Sequence, residues 1–338
     1  MNNRTSPLTI EVLDRPAPIL IDASRTPSGS AGFGFEGGRV LSVNGRLHIF
    51  TTELLSEPIW VHTALAHWSS DDGLNWERES TIRTSTGDNT GRDTEAALFA
   101  PMPIYSTVDE RWQLFFVAYR SEPDQPNQFR RNFGGRVLRS TSTSHGLDGI
   151  PGPYAGQNVV LEPNHESQAW EGLQGTDSFF PFLGADGTWL GFYGSCTSED
   201  LARARWGVGL AHAAELTGTW VRDPSNPLET ESHFIENPVV QEIYGTLIAL
   251  YENDPFDPAQ ARSFGWMTST DGKAWERQPP IQIPDHTASW ASRIRTPLGL
   301  VPTENGYRAY FTAFDRRGSD PGAPTHGHIA AIELRIGP

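Results

Sequence analysis

Three carboxylates and one guanidinium stand at a recurring distance ahead of a turn glycine. Glu36 lies 9 residues before Gly45, Asp177 10 before Gly187, Glu236 9 before Gly245 and Arg295 11 before Gly306. Residues placed alike in a repeat converge on one end of the assembly the repeat builds, so these groups are expected on a single rim. Carboxylates gathered there raise one another's pKa, and a carboxyl group kept protonated near neutral pH can act as a general acid. Taken singly, an acid that opens a strand is as often a solvated loop residue as a functional one. Three at matching positions favour a site, with Arg295 as the neutralising charge.

The elements that must position them recur five times. Turns at Asn44-Gly45, Asp109-Glu110, Asp186-Gly187, Tyr244-Gly245 and Asn305-Gly306 each lead into a short apolar run rich in aromatics, and the units start 65, 77, 58 and 61 residues apart. That spacing suits one four-stranded blade with its loops. Ahead of each turn lies another strand, at residues 36–43, 99–105, 177–183, 236–243 and 295–301, so each pair reads as a β-hairpin. A third strand ending in a polar turn and Trp76, Trp220 or Trp275 follows three hairpins, with a degenerate copy ending at Tyr154. Residues 328–334 read as a final outer strand. No long stretch has helical apolar periodicity, while 33 Gly and 26 Pro suit many turns. The expected fold is all-β: a single five-bladed β-propeller of four-stranded antiparallel blades over residues 21–338, after an N-terminal extension at 1–20.

Composition narrows the partners. Lys and Arg number 26 against 41 Asp and Glu, a net charge of −15, which argues against nucleic acid and anionic membrane surfaces and for a neutral or cationic ligand. The one cysteine, Cys196, excludes an intrachain disulfide and follows an apolar run that marks it as buried and inert. The 10 histidines form no H-E-x-x-H pattern, so no catalytic zinc and no organic cofactor are expected. No window is apolar enough to span a bilayer and the N-terminal residues lack a signal-peptide core, from which a cytoplasmic location is expected.

Several further residues attract notice. Phe35, Phe99, Trp170 and Trp290 lie near strand starts or in the loops leading to them, where aromatic faces stack on sugars; singly, each is more often a core residue. Ser69-x-Asp71-x-Gly73-x-x-Trp76 fits the Asp-box turn, and Asp271-Gly272-x-x-Trp275 is a near match; such turns chiefly stabilise blades. Residues 124–133, with Arg130 and Arg131, read as a surface loop at the rim.

Three segments resemble a known group. Ile235-Glu236-Asn237-Pro238-Val239-Val240, Gly175-Thr176-Asp177-Ser178-Phe179-Phe180 and Phe35-Glu36-Gly37-Gly38-Arg39-Val40 look like the catalytic segments of the five-bladed glycoside hydrolases of the family 43 type and its relatives in families 32, 62, 68 and 117. The resemblance implies that Glu236 is the general acid and that Asp177 tunes and orients it. Its base is ordinarily an Asp followed by Pro; here Glu36 is followed by Gly37, and Asp22, Asp93 and Glu95 stand as alternatives. It further implies inverting hydrolysis of a furanose- or pentose-containing glycan such as arabinan, arabinoxylan or a fructan. Some relatives hold an axial calcium near a His, a place His286 would take. Two other readings stay open: a phosphorylase using Arg293 and Arg295 to hold phosphate, and a non-catalytic carbohydrate-binding propeller, favoured if Asp177 and Glu236 point apart.

Overall fold

A computed structural model describes residues 8–25, 31–58, 60–122, 132–196, 206–228, 234–253, 257–315 and 327–338. Two short strands, β1 (Thr9–Val12) and β2 (Ile19–Ile21), precede a series of antiparallel meanders. The first holds β3 (Gly34–Val43), β4 (Arg46–Ser56), β5 (His62–Ser70) and β6 (Glu77–Thr84); the second β7 (Ala97–Ser106), β8 (Arg111–Ser121), β9 (Asn132–Ser142) and β10 (Tyr154–Leu161). The third holds β11 (Phe179–Leu183), β12 (Trp189–Cys196), β13 (Trp206–Ala213) and β14 (Val221–Arg222); the fourth β15 (Glu236–Ile243), β16 (Thr246–Glu252), β17 (Ser263–Ser269) and β18 (Glu276–Gln282). The last is β19 (Ala291–Thr303), β20 (Gly306–Asp315) and β21 (Gly327–Gly337), which meets the first meander at one parallel pair, Gly327 with Gly34.

Every expected hairpin forms. Asn44 and Gly45, and again Tyr244 and Gly245, take positive φ, the paired left-handed conformation of a tight two-residue turn. The leading strands touch in cyclic order, β3 to β7 to β11 to β15 to β19 and back to β3. That ring brings residues from distant parts of the chain to one axis.

Residues 9–20 of the segment set apart in the sequence as an extension, 1–20, are woven with Ile21 into the last meander: β1 and β2 both pair with β21. The segment expected as the final outer strand therefore lies inside its sheet, with the chain's N-terminal strands on its outer edge. This arrangement satisfies the main-chain groups that β21 would otherwise expose.

The tryptophans that close the repeats fill gaps between sheets. Trp76 meets Tyr310 edge-on, Trp220 packs on Phe115 and Phe179, and Trp275 packs on Phe182 and Phe192. The two polar turns that aim Trp76 and Trp275 are the same device. Gly73 N–H donates to Ser70 and Trp76 Nε1 to Gly73 O, while Gly272 N–H donates to Ser269 and Trp275 Nε1 to Gly272 O. The acid that caps the first turn is Asp72 rather than Asp71, so the motif runs Ser70-x-Asp72-Gly73, one residue on from the sequence reading; the supposed near match is a full copy.

Candidate active site

The leading strands carry a backbone irregularity at their functional residue. Gly37, Ala100 and Asn237, each just after Glu36, Phe99 and Glu236, adopt φ of 63°, 51° and 50°, and the ladder register shifts there in β3, β7 and β15. Bulges of this kind re-aim a side chain. They also explain Gly37 after Glu36, because the left-handed position suits Gly and excludes Pro. At Gly38, where φ is 125°, a Cβ would stand 1.9 Å from Phe50 O.

The side chains so aimed form a buried polar cluster. Arg295 donates through Nη2 to Glu36 Oε1 at 3.4 Å, and its Nε lies 3.0 Å from Glu252 Oε1. Thr296 Oγ1 lies 2.7 Å from Glu36 Oε1 and 3.0 Å from Glu252 Oε2, with the Asn237 amide donating to it at 3.4 Å. A hydroxyl has one proton to give. If Thr296 donates it to Glu36, which also faces Arg295, the contact with Glu252 requires the proton to sit on Glu252. Burial agrees, pushing the Glu252 carboxyl up to about 8 against the opposing pull of Arg295.

Glu236 opens β15 directly opposite Glu252 on β16. It is partly accessible, and no hydrogen bond to its carboxyl is present among the described residues. Burial first, then the charges of Glu252 and Asp177, hold its pKa well above the usual carboxylate range, with Arg295 opposing. Asp177, just ahead of β11, is fixed by the Tyr119 hydroxyl, which donates to its carboxylate and lies 3.0 Å from its main-chain oxygen, and by Gln174 at 3.5 Å. Burial lifts Asp177 to about 6 even though the Tyr119 and Gln174 hydrogen bonds lower it. Desolvation is thus the largest cause at both acids; repulsion between carboxylates comes second at Glu236, while at Asp177 the Tyr119 and Gln174 hydrogen bonds outrank the repulsion from Glu36. Burial works against the Arg295 charge too, but Glu252, Glu36 and Glu236 outweigh it and hold the guanidinium above its ordinary value.

The structure thus gathers Glu36, Asp177, Glu236 and Arg295, and Arg293 on the same strand acts electrostatically on Glu252. Glu36 is buried; its Oε2 is enclosed without a hydrogen bond. The alternative bases lie elsewhere. Asp22 is engaged by Ser24 and His328, Asp93 by the Glu95 amide, and Glu95 by Arg83 and Gln157.

Of the aromatics, only Phe99 stays partly exposed beside the cluster, near-parallel to Trp60 at 6.4 Å and edge-on to Tyr119 at 5.8 Å. Phe35 is fully buried against Trp68, because neighbours on a strand point to opposite faces and Glu36 takes the other. Trp170 belongs to the core, packed on Tyr193 with its indole N–H given to Gln168. Trp290 is pinned to the N-terminal segment by its hydrogen bond to Ala17 O. Of the 124–133 loop, residues 124–131, including Arg130 and Arg131, lie outside the described residues.

His286 does not fit an axial metal. It sits on the surface against Asp14 at 2.8 Å, with 65% of its side chain exposed. Among the described residues no group of three or more His, Cys, Asp or Glu is disposed to hold a metal ion.

Sequence reasoning missed Tyr119, Glu252, Thr296 and Trp60. A signal existed for Glu252: the apolar run Leu247-Ile248-Ala249-Leu250-Tyr251 ends in a carboxylate, and hairpin register puts that end opposite Glu236.

No protein-family model matches the chain, and no curated protein does. Solved structures do. A protein described as a glycoside hydrolase aligns with a TM-score of 0.66 at 13% identity, over 95% of this chain and 92% of its own. A family 117 glycoside hydrolase from the marine bacterium Zobellia galactanivorans aligns with a TM-score of 0.62 at 14% identity, over 97% and 90%. A family 43 enzyme from Xanthomonas citri, solved with xylose, aligns with a TM-score of 0.55 at 11% identity, over 93% and 89%. The chain therefore has the β-propeller fold found in glycoside hydrolases of families 43 and 117.

Proposed function

We propose that the chain is a five-bladed propeller glycoside hydrolase in which Glu236 protonates the leaving oxygen, Asp177 tunes it and Glu36 activates water. The observation that carries this reading is Glu236 itself: a partly accessible carboxyl set opposite Glu252, its pKa held well above the usual carboxylate range, with no hydrogen bond to it among the described residues. In the reaction the bond from the anomeric carbon to the glycosidic oxygen breaks, and that oxygen takes the Glu236 proton. Water bonds to the anomeric carbon from the opposite face and gives its proton to Glu36, so configuration inverts. Arg295 and Thr296 hold Glu36 for this step. Glu236 is left ionised, and the burial that raised its pKa favours its return to the acid form.

The substrate is a furanose- or pentose-containing oligosaccharide or polysaccharide. Phe99 and Trp60 offer an aromatic face beside the carboxylates, and the net charge of −15 suits an uncharged ligand. Arg295 is occupied by Glu36 and Glu252, which weighs for hydrolysis over a phosphorylase. The electrostatic action of Asp177 on Glu236 weighs for catalysis over simple sugar binding. The test is a panel of aryl glycofuranosides and glycopyranosides, with proton NMR of the anomer first released. Turnover with inversion is expected; sugar binding without any turnover would favour the non-catalytic reading.

A further inference from the structure

Arg295 and Thr296 are neighbours on β19, and plain strand alternation would send them to opposite faces. The register of β19 on β20 slips between Ile294 and Pro297, and both side chains reach the same two carboxyl groups, Glu36 and Glu252. Thr296 is fully buried, and its hydroxyl meets Glu36 Oε1 at 2.7 Å, Glu252 Oε2 at 3.0 Å and the Asn237 amide at 3.4 Å. A hydroxyl gives one proton and accepts on two lone pairs. The Asn237 amide takes one lone pair. Were both carboxyl groups ionised, they would compete for the one proton, and the loser would face a lone pair. With a proton on Glu252 every place is filled: Asn237 and Glu252 donate to Thr296, and Thr296 donates to Glu36. The other Glu252 oxygen lies 3.0 Å from Arg295 Nε without the alignment of a hydrogen bond. The charged groups around Glu252 are Glu236 opposite it on β15, with Asp177 acting on Glu236 in turn, Glu36 on β3, and Arg293 and Arg295 on β19. Its neighbour on β17 is the uncharged Phe264.

We propose, building on the hydrolase reading, that Glu252 is a positioning residue for the base: its proton, given to Thr296, leaves the threonine's own proton to Glu36 and keeps that carboxylate ionised and fixed. Glu252 takes no part in bond breaking. When it ionises, the Thr296 proton is contested and a second negative charge stands across the hydroxyl from Glu36. Both effects disfavour the ionised, fixed carboxylate that must take the proton of water. Turnover is therefore lost in alkali from the base side of the site, separately from any loss of the Glu236 proton.

A leaving group that departs without protonation separates the two. Wild-type kcat/KM is measured from about pH 5 to about pH 10 on a dinitrophenyl glycoside and on an alkyl glycoside of the same sugar. On the dinitrophenyl substrate the proton of Glu236 drops out, so an alkaline fall that persists there reports the base side. Above the Glu252 pKa of about 8 it should reach about tenfold per pH unit. Glu252→Gln, whose amide donates to Thr296 at every pH, should abolish that fall. Thr296→Val should lower kcat/KM on both substrates, and Thr296→Ser should restore most of it. A flat alkaline profile on the dinitrophenyl substrate, with the fall kept on the alkyl one, would overturn the role of Glu252 while leaving Glu236 as the acid. An unchanged fall in Glu252→Gln would overturn it too. Turnover of neither substrate at any pH would remove the hydrolase reading, and this role with it. The wild-type profile on the dinitrophenyl substrate decides even if a variant does not fold.

Discussion

Replacing Glu252 by Gln should stabilise the protein, and by an amount that depends on pH in a defined way. Glu252 has a raised pKa of about 8 in the folded state, against about 4.3 for an unperturbed Glu. Between those values the unfolded chain carries an ionised Glu252 while the folded chain keeps the proton. The unfolded state therefore gains from each rise in pH and wild-type stability falls, by about 1.4 kcal/mol per pH unit for this one group. Gln does not titrate, and its amide reproduces the acid form: NH₂ toward Thr296 and oxygen toward the Nε of Arg295. The stability difference between Glu252→Gln and wild type should be flat below about pH 4, grow through the window, reach on the order of 4 kcal/mol at pH 7 and level off above pH 8. Urea unfolding of both proteins between pH 4 and 9 measures it. A difference that does not change with pH would refute the proton assignment. So would a variant that loses stability relative to wild type as pH rises, which is the signature of an ionised Glu252 paired with Arg295.

Other outcomes follow from the same geometry. Glu36→Ala should lower turnover by about 10²–10⁴-fold by removing the base; steady-state kinetics showing undiminished activity would take Glu36 out of the mechanism. Tyr119→Phe removes a hydrogen bond that lowers the Asp177 pKa, so Asp177 should titrate above its present value of about 6, seen as an upward shift in its side-chain NMR titration. Gly38→Ala forces a Cβ against the Phe50 carbonyl at a φ of 125°, and should cost roughly 3 kcal/mol or more in urea unfolding without altering the polar cluster directly.

Much of the fold could be read from turn chemistry. Asn44-Gly45 marks a hairpin because Asn and Gly tolerate two left-handed positions, at Tyr244-Gly245 the glycine carries the signal, and each hairpin lies where its turn falls. Glu36, Asp177, Glu236 and Arg295 were legible because each stands at a matching offset ahead of its turn glycine. Their partners were not: Glu252 ends a second strand, where only the hairpin register shows what it faces, and Tyr119 reaches Asp177 across to the next meander. Thr296 was invisible for a different reason: a neutral hydroxyl one residue past Arg295 becomes informative only when two carboxylates are found on it. Phe35 is excluded by strand alternation, since it cannot share a face with Glu36. The pairing of β1 and β2 with β21 joins residues more than 300 apart, a contact that no local pattern announces.

The central claim is that Glu236 delivers a proton to the leaving oxygen. Its most direct test is kcat/KM of Glu236→Gln on two substrates of the same sugar, one with an alkyl or sugar leaving group and one with a dinitrophenyl leaving group that departs without protonation. The account predicts a loss of about 10²–10⁴-fold on the first and near wild-type activity on the second. Equal loss on both, or no loss on the first, would contradict it.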